Sequence, residues 1–175
     1  MRLRQLLLVP IVVGLVVGCA SPQESVVRES ASVVTSAKPE VPFKLRFTAK
    51  TLDGADFAGE SLAGKPAVLW FWAPWCEYCK GDAELVAKVA KASVGKVTFV
   101  GVAGKDDLEP MKKFVADHKM DGFPHLADLD GELFKRSRVS GTPTLVFFSA
   151  DGKTDVHYGS IEERELTKKV RDLVE

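Results

Sequence analysis

The sequence is poor in the residues that most often advertise a function. It holds three cysteines and three histidines among 175 residues. Three cysteines are too few to staple a disulfide-dense mini-scaffold. His118, His125 and His157 stand apart, without the spacing of a zinc set that needs three or four ligands. No sign of charge dominates. The 24 Lys and Arg balance the 24 Asp and Glu, so no basic surface points to nucleic acid. No apolar run reaches the roughly 17–25 residues that span a bilayer. What remains is a globular composition, 46% apolar and 27% charged, long enough for one domain with a real core.

The chain opens with a leader pattern. Arg2 and Arg4 form a basic start, and Leu6 to Val17 is an uncharged, mostly apolar run of 12 residues. That length suits the core of a signal peptide. Leu15-Val16-Val17-Gly18-Cys19 resembles a bacterial lipobox. The resemblance implies a lipoprotein signal peptide over 1–18, with Cys19 lipidated and first in the mature chain. Loss of Arg2 and Arg4 leaves 22 basic against 24 acidic residues. Attachment to a membrane then rests on lipid, since no polybasic patch assists it. Residues 19–42 carry five serines and three prolines, lack aromatic residues and show no sustained period. They read as a flexible tether. The folded domain is expected over 43–175.

Within that domain Phe43, Leu45 and Phe47 alternate with polar residues, which predicts a half-buried strand. Asp53-Gly54 marks a turn. Ala67 to Ala73 is wholly apolar and predicts a central strand buried on both faces. Cys76 to Ser93 reads as a helix with a stripe of Leu85, Val89 and Ala92, flanked by Val86 and Ala90. Val97 to Val102 predicts a strand. Asp106 with Glu109 predicts a capping box for a second helix, with Leu108, Met111, Phe114 or Val115, and His118 along one face. Thr144 to Phe148 and Val156 to Tyr158 predict a hairpin about Asp151-Gly152. Ser160 with Glu163 predicts a cap for a last helix through Leu166, Val170, Leu173 and Val174. This order gives an α/β fold, a mixed sheet with helices on both faces.

Trp75-Cys76-Glu77-Tyr78-Cys79 carries the chemistry. It follows a buried strand and opens a helix. Cysteines at i and i+3 there lie on one side and can close a small disulfide. The helix start offers free N–H groups and the positive end of the dipole, which favour a thiolate. Cys76 is expected to be the exposed attacking sulfur, and Cys79 the buried one that resolves the mixed disulfide. A zinc half-site lacks further ligands. A purely structural disulfide over so short a loop would constrain the unfolded chain little.

Phe71-Trp72-Ala73-Pro74-Trp75-Cys76-Glu77-Tyr78-Cys79, with Gly141-Thr142-Pro143-Thr144 far downstream, resembles the thioredoxin superfamily. Leu52-Asp53-Gly54, Gly64-Lys65-Pro66 and Asp128 with Gly131 make it similar to the extracytoplasmic branch of TlpA-, ResA- and DsbE-like proteins. The resemblance runs from Phe43 to Val174. It implies a thioredoxin-like sheet with an N-terminal strand or hairpin extension and a cis Thr142–Pro143 bond facing the cysteines. It also implies that the Thr142 backbone pairs with a substrate strand and that Trp75 is a surface aromatic touching substrate. No cofactor is implied. The implied partners are protein thiols or disulfides outside the cytoplasm and a membrane redox partner that recycles the pair.

Three positions depart from the pattern. Trp70 stands where thioredoxins carry a buried Asp. Glu84 stands where the active helix often has a kinking Pro. Asp82 stands where ResA-like members have Glu, which implies a role in tuning proton transfer if the shorter acid reaches; the alternative is an exposed helix acid. Glu77 weakly opposes a Cys76 thiolate, and the missing acid at position 70 favours one. These two effects oppose each other and leave the direction open; the expectation, for which an oxidising compartment is permissive, is an oxidant of secreted proteins. The alternative is a reductant in cytochrome c maturation or a similar pathway. A peroxiredoxin-type peroxidase needs Pro and Ser or Thr where Leu69 and Ala73 stand. Copper binding with His157 as third ligand, and a non-catalytic adaptor, complete the alternatives.

Overall fold

The computed structural model describes residues 40–175. The leader, Cys19 and the tether as far as residue 39 lie outside the described residues. Five strands form one mixed sheet in the order β5-β4-β3-β6-β7. These are β3 (Ala67–Trp72), β4 (Thr98–Gly104), β5 (His125–Asp128), β6 (Thr144–Phe148) and β7 (Thr154–Tyr158). β3 runs parallel to β4, and β4 to β5, whereas β6 is antiparallel to both β3 and β7. A separate hairpin, β1 (Thr48–Lys50) and β2 (Asp56–Ala58), precedes the sheet. It turns through Gly54 at φ +85°, a conformation that suits glycine.

β3 is central because every residue of it is apolar and buried. Its alternate side chains feed two cores. Val68, Trp70 and Trp72 face α1 (Glu77–Ala92), α2 (Leu108–Asp117) and α4 (Glu163–Asp172). Ala67, Leu69 and Phe71 face α3 (Glu132–Ser137), Leu45, Leu62 and the hairpin. Burying a side chain such as Leu69 or Phe71 contributes about 1.5–3 kcal/mol, so β3 anchors both layers.

Several expectations are corrected. Phe43–Leu45 is a 3-10 turn after Pro42 rather than a strand. Leu45 is buried, but Phe43 is 65% exposed with its ring 5.0 Å from the Arg136 guanidinium. The N-terminal hairpin that the resemblance implies is formed by β1 and β2, after Phe43–Leu45 and not from it, whereas β5 and α3 were not anticipated. The buried stripe of α1 is Cys79, Ala83, Val86 and Ala90 with Asp82 and Val89, while Ala92 is exposed. The capping boxes do not form. α2 begins after Asp107, and Asp106 accepts the Asp107 N–H instead. α4 begins after Glu162, and Glu163 pairs with Lys88 at 2.7 Å. Leu166 and Val170 are buried in α4, whereas Val174 is exposed.

Candidate active site

The site lies where three strands end together. β3 leads through Ala73 and Pro74 to Cys76. β6 starts at Thr144, opposite Phe71 near the same end of β3. The Thr142–Pro143 bond, which is cis, therefore leaves the sheet on the side from which the CxxC segment emerges. β7 ends there as well, because Tyr158 pairs with Thr144 and the Gly159 N–H donates to the Pro143 carbonyl at 2.9 Å.

Cys76 and Cys79 are joined in a disulfide, with Cα atoms 5.2 Å apart. Cys76 is the N-cap of α1, and its sulfur accepts the Cys79 backbone N–H at 3.2 Å. That bond meets one of the donors a helix start leaves unpaired, and the dipole adds to it. Both factors favour an anionic sulfur here. The order of exposure is as expected, but its size is not. Cys76 is 5% exposed and Cys79 fully buried. Its place in the cap turns the Cys76 sulfur back toward the helix, so little of it faces solvent in the oxidised pair.

Glu77 and Tyr78 point outward, and Glu77 pairs with Lys80 on the next turn. The negative charge nearest the pair is thus partly offset. Trp70 is fully buried with no hydrogen-bond partner on its indole N–H. No acid occupies that place in the core. α1 runs unbroken past Glu84 to Ala92.

Asp82 is not an exposed helix acid. It follows Cys79 by three residues on the buried face and is 7% exposed. Burial raises its pKa above the ordinary value, an effect that the nearby Ser160 hydroxyl, Ile161 N–H and His157 oppose, and its buried Oδ2 has no hydrogen-bond partner among the described residues. His157, the candidate copper ligand, is half-buried on β7, with Nε2 3.0 Å from the Ser160 carbonyl and Nδ1 3.3 Å from Glu165. Among the described residues no group of three or more His, Cys, Asp or Glu is arranged to hold a metal ion. No helix among them is long and apolar enough to cross a membrane.

The rim is aromatic. Trp75, Tyr78 and Tyr158 are 54%, 71% and 63% exposed. Pro143 is buried and Thr142 half-buried. Sequence reasoning placed Tyr158 in a strand without seeing that pairing with Thr144 brings it to the site. It also passed over Lys105, whose carbonyl accepts the Trp75 indole N–H at 3.0 Å. A lone Lys after a strand carries no signal for such a contact.

Residues 42–157 match the model of the AhpC/TSA family. The chain belongs to the AhpC/TSA family. It is similar to the soluble secreted antigen MPT53 of Mycobacterium tuberculosis, 48% identical over 109 residues. That match covers 62% of this chain and 62% of MPT53, so it spans less than two thirds of that relative. The structure of M. tuberculosis dsbF in mixed oxidised and reduced forms is 48% identical, with a TM-score of 0.75. It covers 77% of this chain and 99% of that one. A secreted M. tuberculosis disulfide oxidoreductase homologous to E. coli DsbE is 42% identical, with a TM-score of 0.70 over 74% of this chain and 97% of that one. The fold of this AhpC/TSA member is thioredoxin-like. Its CxxC pair lies at a helix start and is joined in a disulfide.

Proposed function

We propose that this protein oxidises pairs of thiols in secreted proteins outside the cytoplasm. The observation that carries the reading is the Cys76 sulfur in the cap of α1, accepting a backbone N–H, with Trp70 in place of a buried acid. A stabilised thiolate stabilises the reduced form and so makes the pair more oxidising.

In the first step a substrate thiolate attacks the Cys76 sulfur. The substrate–Cys76 bond forms, the Cys76–Cys79 bond breaks, and Cys79 leaves as a thiolate that takes up a proton. A second substrate thiolate then attacks its own sulfur in the mixed disulfide and releases Cys76. The substrate loses two electrons and the pair gains them. Thr142 presents its backbone to the substrate strand beside Pro143, and Trp75 lies along it. Asp82 takes up or returns the proton near Cys79. A membrane redox partner restores the disulfide, and acylated Cys19 keeps the domain at the bacterial cell membrane.

The names of MPT53 and the secreted DsbE homologue support an extracytoplasmic setting. The missing peroxidase pattern at Leu69 and Ala73 argues against peroxide chemistry despite the family's breadth. The deciding measurement is the reduction potential of the Cys76–Cys79 couple. A value well above the roughly −270 mV of thioredoxin supports the oxidant, and a value near it returns the role to a reductant.

A further inference from the structure

Lys105 joins the two loops that flank the disulfide. It follows the last residue of β4, in the left-handed region at φ +62°, a conformation that side chains seldom adopt. Its carbonyl accepts the Trp75 indole N–H at 3.0 Å, 30 residues away in sequence. Its ammonium donates to the Ser140 carbonyl at 3.1 Å, across 35 residues. The same ammonium lies 5.4 Å from the centre of the Phe134 ring. Trp75 immediately precedes Cys76, and Ser140 lies three residues before Pro143.

We infer that Lys105 is a positioning residue that clasps the Trp75 side of the site to the Thr142–Pro143 side and fixes the groove in which the substrate segment lies. The inference rests on the exchange reading given above and adds to it a determinant of substrate affinity. The backbone of Lys105 holds the indole in place, and its ammonium holds the chain that leads to Pro143. Glycine would meet the backbone requirement at φ +62° with less strain. It would supply no arm to Ser140. The left-handed turn aims the carbonyl at Trp75, while the long side chain reaches the opposite loop. Neither contact touches a sulfur, so their loss should weaken peptide binding far more than the chemical step.

The test uses the oxidised full chain and a synthetic peptide carrying two cysteines, in single turnover. Lys105→Met keeps the apolar stem and removes the donor. It should raise the half-saturating peptide concentration about fivefold and leave the maximal rate within about twofold. Trp70 and Trp72 are fully buried, so acrylamide quenching reports on Trp75. Quenching should rise in Lys105→Met and return to the wild-type value in Lys105→Arg, together with the half-saturation. Combining Lys105→Met with Trp75→Phe should cost less than the product of the two single effects, because both act on one clasp. Should Lys105→Met disturb folding, Lys105→Gly suits the backbone and must show the same rise. Unchanged half-saturation and quenching in a folded variant overturn the inference, as does a loss confined to the maximal rate. If the wild-type protein fails to oxidise the peptide, the exchange reading falls. The quenching series then still decides whether Lys105 holds the two loops.

Discussion

The backbone N–H of Cys79 donates to the sulfur of Cys76 at 3.2 Å. After reduction the same donor and the start of α1 face a thiol. The Cys76 thiol is therefore expected to titrate below the ordinary cysteine value of about 8.5, and buried Cys79 above it. Thiolate absorbance against pH measures both. Cys76→Ser should lower exchange by about a hundredfold or more, whereas Cys79→Ser should accumulate the mixed disulfide. Trapping on Cys79 in a Cys76→Ser protein would reverse the assigned roles.

Gly101 lies in β4 between Trp70 of β3 and His125 of β5. A Cβ there would fall inside van der Waals contact of His125 Nδ1 and 2.9 Å from Trp72 Nε1. Both rings belong to the packed interior and cannot swing aside cheaply. Gly101→Ala is expected to destabilise the domain by about 1–3 kcal/mol, read as a lower urea midpoint at unchanged slope. His125→Ala in the same chain should recover part of that loss.

His125 is 5% exposed, and its Nε2 lies 2.8 Å from the Met120 carbonyl. Burial lowers its pKa from 6.5 to about 4, opposed by the Met120 carbonyl and by Asp53. Between those two values the unfolded chain binds the proton and the folded chain does not. Stability is therefore full above about pH 6.5 and falls as pH drops toward 4, by roughly 3 kcal/mol for this group. Urea unfolding of wild type and His125→Gln at pH 7 and pH 4.5 measures the difference. The variant should show the smaller fall, and equal falls would contradict this account.

Asp82 works in the opposite sense. Its pKa is raised chiefly by burial, so at intermediate pH the folded chain holds the extra proton. Stability contributed by this group is present below the ordinary carboxylate value and is lost as pH rises through the raised one. Asp82→Asn should be more stable than wild type at neutral pH, with the advantage gone near pH 3. Its exchange rate should also lose the pH dependence of the proton step. Thermal unfolding at the two pH values, with a pH–rate profile, tests both.

Much of this architecture could be read from the chain because it follows from unbroken apolar runs. β3 has six buried apolar residues in a row, and no alternative to a central strand fits them. The CxxC at its exit fixes where α1 begins. β5 was illegible for the converse reason. Its ends are His125 and Asp128, two polar residues buried by tertiary partners that the sequence does not show. Asp128 accepts the N–H groups of Leu133 and Phe134 at 3.0 and 2.9 Å and so starts α3, a helix of six residues that leaves almost no period to detect. The strand expected at Phe43 failed because alternation over five residues says nothing about what lies above it. Phe43 has solvent and Arg136 there instead of a core. At the site, the cysteines, Trp75 and the Thr142–Pro143 pair were legible from local motif. Tyr158 and Lys105 reach it only through strand pairing and loop contacts.

The hairpin that precedes the sheet has a bearing on colloidal behaviour. The Leu52 N–H donates to the His125 carbonyl at 2.8 Å, and Thr51 bridges Leu126, so the outer border of β5 is partly capped by the chain's own earlier residues. That leaves β7 as the border open to a stray strand, and Asp155, tied to Lys169, puts paired charge along it. A domain with one sheet border covered and the other guarded by charge offers extended chains few places to polymerise onto it.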